Sequence, residues 1–460
     1  MAEDKKKKVF DDGEFMLEAV PADKRRSTKS QFMVWVGFGY AVTGLIVGGN
    51  LAGYGGNPGL NPLWAFLAIA IGMGILYVLT SLLGVAAQKT GYNLGLITKF
   101  SYGDKGAAIP LFIMSILTIG WFASIAGMVG EVWSEWIGNP TGVTVMGVMP
   151  LEEVIACAVF GAIFTYTAVR GMGAIEKVAT VFSPLILIVA VVCGIIFFGE
   201  AGGVGGFMDK ANELEGLGMG AAINTVVGSW IAGAIMGCDL FRFNKSVKAV
   251  WICAAACFIL TNPILNFVGY IGVVAIGEFN YVFWMLGAGV TFAILGVVVW
   301  TTALWTTDNE ELYCNSMYTG PALASFGLVF ERKKIVIVIG TIATILGAVG
   351  FYQLFFSDFI NILGATIPPL TAPILADFFI VGKQKKYDEK LLNKQPAVRW
   401  AGVISFVIGA FLGWAFSYII TLPSAIPGGL LAFAISFVIY LVIYKITPDA
   451  KKDAELVAEL

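Results

Sequence analysis

Segments of about twenty consecutive, mostly apolar residues recur along almost the whole chain, and they constrain its fold more than any other feature. A helix that crosses a bilayer needs about 20 such residues. We predict twelve crossing helices, at 31–56, 61–87, 107–137, 151–169, 175–199, 218–240, 248–276, 282–307, 334–349, 351–380, 400–420 and 427–447. Only 13% of the residues are charged, against about 25% in a soluble protein. The pattern predicts an all-α integral membrane protein and excludes a soluble enzyme or a nucleic-acid-binding protein.

Basic residues cluster in every second loop between these segments. The basic residues of this set are Lys89, Lys99, Lys105, Arg170, Lys177, Arg242, Lys245, Lys248, Arg332, Lys333, Lys334 and those within 383–399. Of the 29 basic residues, only Lys210 falls in the alternate loops. Loops rich in Lys and Arg stay on the cytoplasmic side. We expect a multi-pass plasma (inner) membrane protein with both tails, residues 1–30 and 448–460, in the cytoplasm.

The sequence does not contain the motifs of the common membrane enzymes. It has no histidine, which removes imidazole from catalysis and metal binding, and it has no zinc-protease, nucleophile-elbow or P-loop motif. Its six cysteines match no zinc or redox spacing. We see no repeated filter motif of the kind that channels use. We expect a secondary transporter that is not an enzyme, with no resident cofactor, no nucleic-acid partner and no obligate protein partner.

Glycines are concentrated in the first and sixth predicted spans. The first reads V-G-F-G-Y-A-V-T-G-L-I-V-G-G-N and the sixth V-G-S-W-I-A-G-A-I-M-G-C-D. Such spans at corresponding positions of two halves are typical of inverted repeats with broken helices, whereas either span alone fits close packing through small residues. The matched placement favours broken helices. We predict two inverted repeats, at 31–199 and 218–380, with two peripheral helices at 400–447.

Spans 3 and 8 contain the next candidates for a binding site. Span 3 has Trp121 away from the membrane interface, where tryptophan is more common, and span 8 ends with W-T-T-D-N. The hydroxyl groups of Thr306 and Thr307 suit a cation, or else bond back to the preceding turn. Trp121 either contacts a substrate or packs as an ordinary apolar side chain.

Four sets of motifs, taken together, resemble those of the nucleobase:cation symporter family 1, and within it the cytosine permeases. They are G-W-F in span 3, V-G-S-W with D-L-F-R-F in and after span 6, W-T-T-D-N in span 8, and I-P-P with L-A-D-F-F in span 10. The resemblance extends from about Val34 to Lys445. It implies a fold of the LeuT type, with ten core helices in two inverted repeats and two peripheral helices. It also implies uptake of a nucleobase driven by Na⁺ or H⁺.

The resemblance implies specific roles for residues that match the family pattern. Trp121 and Trp230 look like the aromatic pair that stacks on the two faces of a planar base, and Ser229 and Ala232 look like the polar edge of the substrate site. The implied Na⁺ ligands are the backbone carbonyls of Gly37 and Tyr40 and the hydroxyls of Thr306 and Thr307.

The sequence departs from the cytosine permeases at four positions in these spans. It has Thr118 where they usually have Gln one turn before the tryptophan, and Asp308 where they have Asn. These two changes bear on the choice of base, and both residues stay in the predicted substrate site. Ala303 replaces a residue that is often polar, which bears on the Na⁺ geometry. Trp230 replaces a frequent Phe and keeps the capacity to stack.

Three interpretations of Asp308 stay open. It is solvated at the cytoplasmic end of span 8 together with Glu310 and Glu311, as the end of the apolar run near Trp305 favours. It accepts a hydrogen bond from the substrate, or it takes up the coupling proton. Acidic residues inside a span are functional candidates.

Charged residues and prolines near the cytoplasmic side suggest gates. Asp239 and Arg242, after span 6, form either an interfacial pair or a cytoplasmic gate, and Asp377 is expected to order the end of span 10. Pro368 and Pro369 interrupt span 10, since proline removes a backbone hydrogen bond. We expect either a thin gate, with Gly364 as its flexible point, or a static kink.

We therefore expect a secondary transporter that imports a nucleobase, cytosine first, by Na⁺ or H⁺ symport and alternating access. The alternative substrates are a purine, uracil, a hydantoin or allantoin, and hydroxymethylpyrimidine. A non-transporting membrane sensor and a membrane enzyme are the remaining alternatives. The expected partners are the small-molecule substrate and the lipid bilayer.

Overall fold

The structure is a computed structural model that describes residues 13–40, 42–382, 385–458 and 460. Residues 1–12 of the predicted N-terminal tail, and Lys383, lie outside the described residues. The helices are α1 (Thr28–Gly39), α2 (Val42–Leu51), α3 (Pro62–Thr90), α4 (Leu94–Tyr102), α5 (Ala108–Ile137), α6 (Leu151–Val169), α7 (Met172–Glu200), α8 (Gly203–Asn212), α9 (Met219–Phe241), α10 (Val247–Ala255), α11 (Asn262–Ile276), α12 (Tyr281–Gly287), α13 (Val290–Ala324), α14 (Arg332–Ala348), α15 (Phe351–Thr366), α16 (Pro368–Ala376), α17 (Glu389–Leu392), α18 (Trp400–Tyr418), α19 (Gly428–Ile446) and α20 (Asp449–Ala458).

Short elements of other kinds connect these helices. One turn of π-helix, Ala256–Thr261, joins α10 to α11, and another, Asp377–Val381, follows α16. Three 3₁₀ turns lie at Ala22–Lys24, Tyr54–Gly56 and Lys385–Tyr387. A two-stranded antiparallel hairpin, β1 (Thr144–Val145) and β2 (Met149–Pro150), precedes α6.

Most of the long helices are apolar enough to cross a membrane. Ten spans qualify among the described residues, with α10 and α11 joined in one of them, and the pair α1 and α2 makes an eleventh, bent by 49°. The one predicted span not among these eleven corresponds to α14, which has 17 residues, at the short end of the range for a crossing helix. Each of the twelve predicted spans therefore coincides at least in part with helix, and the prediction of an all-α membrane protein is confirmed.

The predicted bounds of span 8 are wrong. The apolar segment at 282–307 contains the short helix α12 and only the first half of α13, which runs on to Ala324. Hydropathy ends the span near Trp305 because acidic residues follow. In the structure those acids are buried inside the bundle, so the helix continues.

The first span is broken as predicted, but the sixth is not. Tyr40 ends α1 with ψ of 69°, outside the helical range, whereas α9 is one continuous helix. Its glycines serve close packing instead. A Cβ on Gly228 would lie 3.2 Å from the Cα of Gly364 in α15, and a Cβ on Gly237 would lie 3.1 Å from Thr80 in α3.

The tenth span is interrupted at the predicted prolines, which lack a backbone N–H. Helix α15 ends at Thr366 and α16 begins at Pro368. Gly364 is helical and closely packed on two sides, because a Cβ there would meet Gly228 and a Cβ on Gly429 of α19 would lie 2.4 Å from the carbonyl oxygen of Gly364.

Both described ends of the chain lie at the same end of the bundle, which we call the tail end. Arg242, just after α9, donates to the carbonyl oxygens of Glu14 and Phe15, each at 2.7 Å. The side chain of Glu14 accepts from the backbone N–H of Met172 at the start of α7. Near the other terminus, Asp453 of α20 pairs with Arg399 at the start of α18. The loops predicted to be cytoplasmic therefore group together around both tails.

Candidate functional site

The break between α1 and α2 frees backbone carbonyl groups inside the bundle. The N–H of Tyr40 bonds to the carbonyl oxygen of Gly37 at 3.1 Å, and the chain then leaves the helical conformation. Gly37 lies close against α7, since a Cβ on it would be 2.6 Å from the hydroxyl of Ser183. A larger residue at 37 would push this carbonyl away from its present neighbours.

The two threonines of α13 face these carbonyl groups. The Thr306 hydroxyl oxygen lies 3.4 Å from the carbonyl oxygen of Gly37, and that of Thr307 lies 3.3 Å from the carbonyl oxygen of Tyr40. Both threonines are buried. The structure thus brings the four predicted cation ligands together, and carbonyl and hydroxyl oxygens are ligands that suit a hard cation.

The hydroxyls also make the bonds to the preceding turn that the sequence allowed. Thr306 donates to the carbonyl oxygen of Ala303 at 2.6 Å, and Thr307 approaches the same oxygen at 3.5 Å. The carbonyl of Ala303 therefore lies beside the four oxygens, although its side chain has no polar group. No group of three or more Cys, Asp or Glu side chains suited to a metal occurs among the described residues.

Next to these oxygens is a small cavity at the centre of the bundle. Its volume, measured for the centre of a water molecule, is about 20 Å³, which is enough for about one water and too little for a heterocycle. The lining residues are Thr43, Trp121, Ile125, Ser229, Trp230, Gly233, Thr307 and Glu311. A planar ring can enter only if the surrounding aromatic side chains move apart.

Edge-to-face contacts fix the two predicted stacking residues. The ring of Trp121 lies 5.7 Å from those of Phe356 and Phe359 in α15. The ring of Trp230 lies 5.0 Å from that of Phe38 in α1 and 5.8 Å from that of Phe258. Such T-shaped pairs favour a fixed ring orientation. The two indoles therefore connect the cavity to both helices that are interrupted near it, the α1–α2 pair and the α15–α16 pair.

The other predicted substrate residues divide into two groups. Ser229 lines the cavity, and its hydroxyl donates to the carbonyl oxygen of Val226 at 2.8 Å. Ala232 is buried but is not among the lining residues. Because α9 is continuous, the predicted unwound backbone near Ser229 is wrong.

Thr118 lies outside the cavity lining, in a polar network between α5 and α13. Its hydroxyl donates to the carbonyl oxygen of Met114 and accepts from the side-chain amide of Asn315 at 2.7 Å. Asn315 also bonds to Ser115 and Thr319. The structure therefore places Thr118 in contact between helices, one turn away from Trp121.

Asp308 is inside the bundle, so its interpretation as a solvated surface residue is wrong. Its side chain is 0% exposed, and neither carboxylate oxygen has a hydrogen-bond partner. Asp308 directly follows Thr307 in α13, and consecutive residues of a helix point about 100° apart. It does not line the cavity.

Glu311 is the functional candidate that the sequence interpretation missed. It lines the cavity, is 5% exposed, and its oxygen Oε2 has no hydrogen-bond partner. Residues four apart in a helix share a face, so the position of Thr307 could have indicated Glu311. The signal was lost because span 8 was ended before it. Thr43, Ile125 and Gly233 were missed as well.

The charged residues at the tail end make hydrogen bonds within the protein, and the interfacial pair and the cytoplasmic gate both remain possible roles of Asp239 and Arg242. Asp239 accepts from the backbone N–H of Leu94 at 3.0 Å, and Arg242 is held by the N-terminal segment described above. Asp377 accepts from Lys386, at 2.8 Å, and from Tyr387 and Tyr440, at 2.6 Å each. Asp377 therefore orders the end of the tenth span, as predicted.

Comparison with known proteins places the chain in a family. The family described as permeases for cytosine/purines, uracil, thiamine and allantoin matches residues 19–437. The cytosine permease of Escherichia coli (strain K12) is 25% identical over 92% of this chain and 94% of its own length.

Solved structures share the architecture. Mhp1, a nucleobase-cation-symport-1 family transporter in a closed conformation with bromovinylhydantoin bound, superposes with a TM-score of 0.75 at 22% identity, over 95% of this chain and 98% of that one. MhsT, in complex with L-phenylalanine, gives 0.60 at 13% identity, over 90% and 97%. The predicted LeuT-type fold is confirmed, and the relatives are permeases rather than enzymes. The division into domains at 31–199, 218–380 and 400–447 stays a prediction. The protein belongs to the family of permeases for cytosine/purines, uracil, thiamine and allantoin, the nucleobase:cation symporters that its motifs resemble.

Proposed function

We propose that this protein is a symporter that imports a nucleobase, with cytosine as the first candidate, together with a cation by alternating access. One observation carries the proposal. Thr307 belongs both to the cavity lined by Trp121 and Trp230 and to the group of oxygens around the α1–α2 break. A ligand in the cavity and a cation among these oxygens would therefore share a residue.

The two indoles supply the affinity for a planar base. Stacking on an aromatic side chain contributes about 1–3 kcal/mol per base. Trp121 and Trp230 come from α5 and α9, so a base between them connects two helices that belong to different predicted repeats. Ser229 adds a hydroxyl at the edge of the ring.

The co-transported cation, Na⁺ in the first instance, would be held by Gly37, Tyr40, Thr306 and Thr307. These residues come from both sides of one interface, between α1 and α13. Ligands on two helices favour the arrangement in which the helices are together. Proton coupling is the alternative, and the buried carboxylate of Asp308 supports it.

The tenth span is the proposed gate on the side of Trp121. Phe356 and Phe359 of α15 contact that indole, and the helix is interrupted at Pro368. Rotation of α15 about this interruption would remove two aromatic contacts from Trp121 and widen the cavity. The static kink is the competing interpretation.

We also propose that the protein lies in the plasma (inner) membrane with the tail end in the cytoplasm. The support is the clustering of basic residues in the loops of that end, as the positive-inside rule requires. Labelling of single cysteines placed in the loops of intact cells tests the orientation.

Uptake of radiolabelled cytosine into proteoliposomes, with and without an inward Na⁺ gradient, tests the proposal. We expect accumulation that requires the gradient and is inhibited by unlabelled cytosine. Adenine, hypoxanthine, uracil, hydantoin, allantoin and hydroxymethylpyrimidine serve as competitors. Accumulation driven only by a proton gradient would replace Na⁺ by H⁺. Absence of uptake of any of these compounds by folded protein would refute the proposed function.

A further inference from the structure

Three polar groups of the central cavity have no hydrogen-bond partner within the protein. They are the hydroxyl of Thr43, the indole N–H of Trp230 and the carboxylate oxygen Oε2 of Glu311. All three side chains are at least nine-tenths buried. Buried polar groups are nearly always paired in native proteins. Their concentration in one cavity indicates a ligand that offers both donors and acceptors.

Glu311 differs from the other two because it is charged when ionised and then only accepts hydrogen bonds. None of the described residues that line the cavity is Lys or Arg. A buried carboxylate without a partner is unfavourable. The ligand that compensates it best is one that presents N–H donors to it.

The other acidic residues nearby do not share this position. Asp308 and Glu310 are fully buried without partners, but neither lines the cavity. Successive residues are turned by about 100° around a helix, which places Glu311 about 40° to one side of Thr307, Glu310 about 60° to the other side and Asp308 about 100° away. Of the three acids, only Glu311 is among the residues that line the cavity. The cavity thus has one carboxylate, beside one unpaired N–H donor.

We propose that Glu311 is a specificity-determining residue that accepts a hydrogen bond from the substrate, so that the protein prefers heterocycles with an exocyclic amino group, namely aminopyrimidines and aminopurines. The indole N–H of Trp230 donates to a ring nitrogen or carbonyl of the same substrate. A heterocycle with a carbonyl in place of the amino group would direct oxygen lone pairs at the carboxylate. This inference rests on the proposed function and narrows its substrate class.

Binding of two matched pairs of bases tests the inference. Cytosine and uracil differ by an exocyclic amino group against a carbonyl, with the adjacent ring nitrogen an acceptor in cytosine and an N–H donor in uracil. Adenine and hypoxanthine differ in the same way. We expect wild-type protein in detergent, measured by calorimetry or competition, to bind the amino compound at least tenfold more tightly in at least one pair. Glu311→Gln should reduce that ratio at least tenfold, because an amide both accepts and donates.

Glu310→Gln is the matched control, since it neutralises the adjacent buried acid outside the cavity. We expect its ratio to stay within threefold of the wild-type value. If Glu311→Gln does not fold, as judged by gel filtration, Glu311→Asp keeps the charge on a shorter side chain. It should weaken binding of the amino compounds while keeping their preference.

The outcomes separate this inference from the proposed function. An unchanged ratio in folded Glu311→Gln, or a wild-type preference for uracil and hypoxanthine, overturns the inference and leaves nucleobase transport standing. Failure of folded wild-type protein to bind any of the four bases overturns the proposed function, and the inference with it.

Discussion

The hydroxyl groups of Tyr40 and Tyr281 hydrogen-bond to each other in the interior of the bundle. Tyr40 ends α1 and provides one of the four oxygens around the α1–α2 break, whereas Tyr281 begins the short helix α12. Both side chains are buried. The bond therefore connects the proposed cation site to a helix at the end of the bundle opposite the tails.

Replacement of Tyr281 by Phe should weaken cation binding. A single hydrogen bond contributes about 1 kcal/mol net, which corresponds to about fivefold in a binding constant. We expect the Na⁺ concentration for half-maximal uptake to rise by about that factor, because the carbonyl of Tyr40 is held less firmly. Tyr270→Phe is the control, since Tyr270 donates to the carbonyl oxygen of Leu60 away from this site. An equal effect of both variants would contradict a specific connection.

Removal of the Thr307 hydroxyl should reduce the Na⁺ dependence of transport. Thr307→Ala takes away one of four proposed ligands, and we expect at least a tenfold rise in the half-maximal Na⁺ concentration while the protein remains folded. Thr307→Ser keeps the hydroxyl and should stay near the wild-type value. Thr302→Ala removes a hydroxyl of the same helix that bonds only to the preceding turn and serves as control. Uptake by the parent protein that ignores Na⁺ would refute this part of the proposal.

Loss of the Trp121 indole should weaken base binding and reduce uptake at low base concentration. Stacking contributes about 1–3 kcal/mol, so Trp121→Ala is expected to weaken base binding by roughly 5- to 150-fold. Trp121→Phe should recover part of this loss. Trp136→Ala changes a tryptophan that is 40% exposed near the end of the same helix and should leave affinity unchanged. Normal affinity in folded Trp121→Ala would defeat the stacking interpretation.

Neutralisation of Asp453 should destabilise the tail end. The carboxylate of Asp453 pairs with Lys386 at 2.8 Å and with Arg399. In the same cluster, burial and the neighbouring Asp377 raise the pKa of Tyr387 well above its usual value, so the Tyr387 hydroxyl remains a hydrogen-bond donor. Removing one partner of a buried ion pair costs about 3–5 kcal/mol. We expect Asp453→Asn to lower the temperature of thermal unfolding in detergent by several degrees.

The control for Asp453→Asn is the exposed pair formed by Lys451 and Glu455 in the same helix. Exposed pairs contribute little, so Glu455→Gln should leave the unfolding temperature within about one degree. A similar decrease for both variants would indicate that any change in α20 suffices.

Most of the fold followed from hydropathy because the bilayer requires long apolar helices. Eleven of the twelve predicted spans agree with helices to within a few residues. The largest difference among them is in the first span, which was predicted to reach residue 56, whereas α2 ends at Leu51. Span 8 failed because its second half is polar and faces other helices, so its burial depends on tertiary contacts that no local pattern contains. The same error concealed Glu311.

The sequence predicted the binding residues less completely than the fold. Matching single positions to motifs predicted Trp121, Trp230, Ser229 and Thr307, and these four residues line one cavity in the structure. Glycine content predicted a break in both α1–α2 and α9, yet only the first occurs. A glycine permits either a break or a close helix contact, and the choice depends on the helix that packs against it.

The contact between Gly228 and Gly364 has a mechanical consequence. Here α9 and α15 meet backbone to backbone, since a Cβ on Gly228 would lie 3.2 Å from the Cα of Gly364. Helices that interdigitate must lift over each other's ridges to shift, whereas two glycines form a smooth pivot. The helix that bears Trp230 and the helix that holds Trp121 in place can therefore turn against each other at this point with little steric resistance.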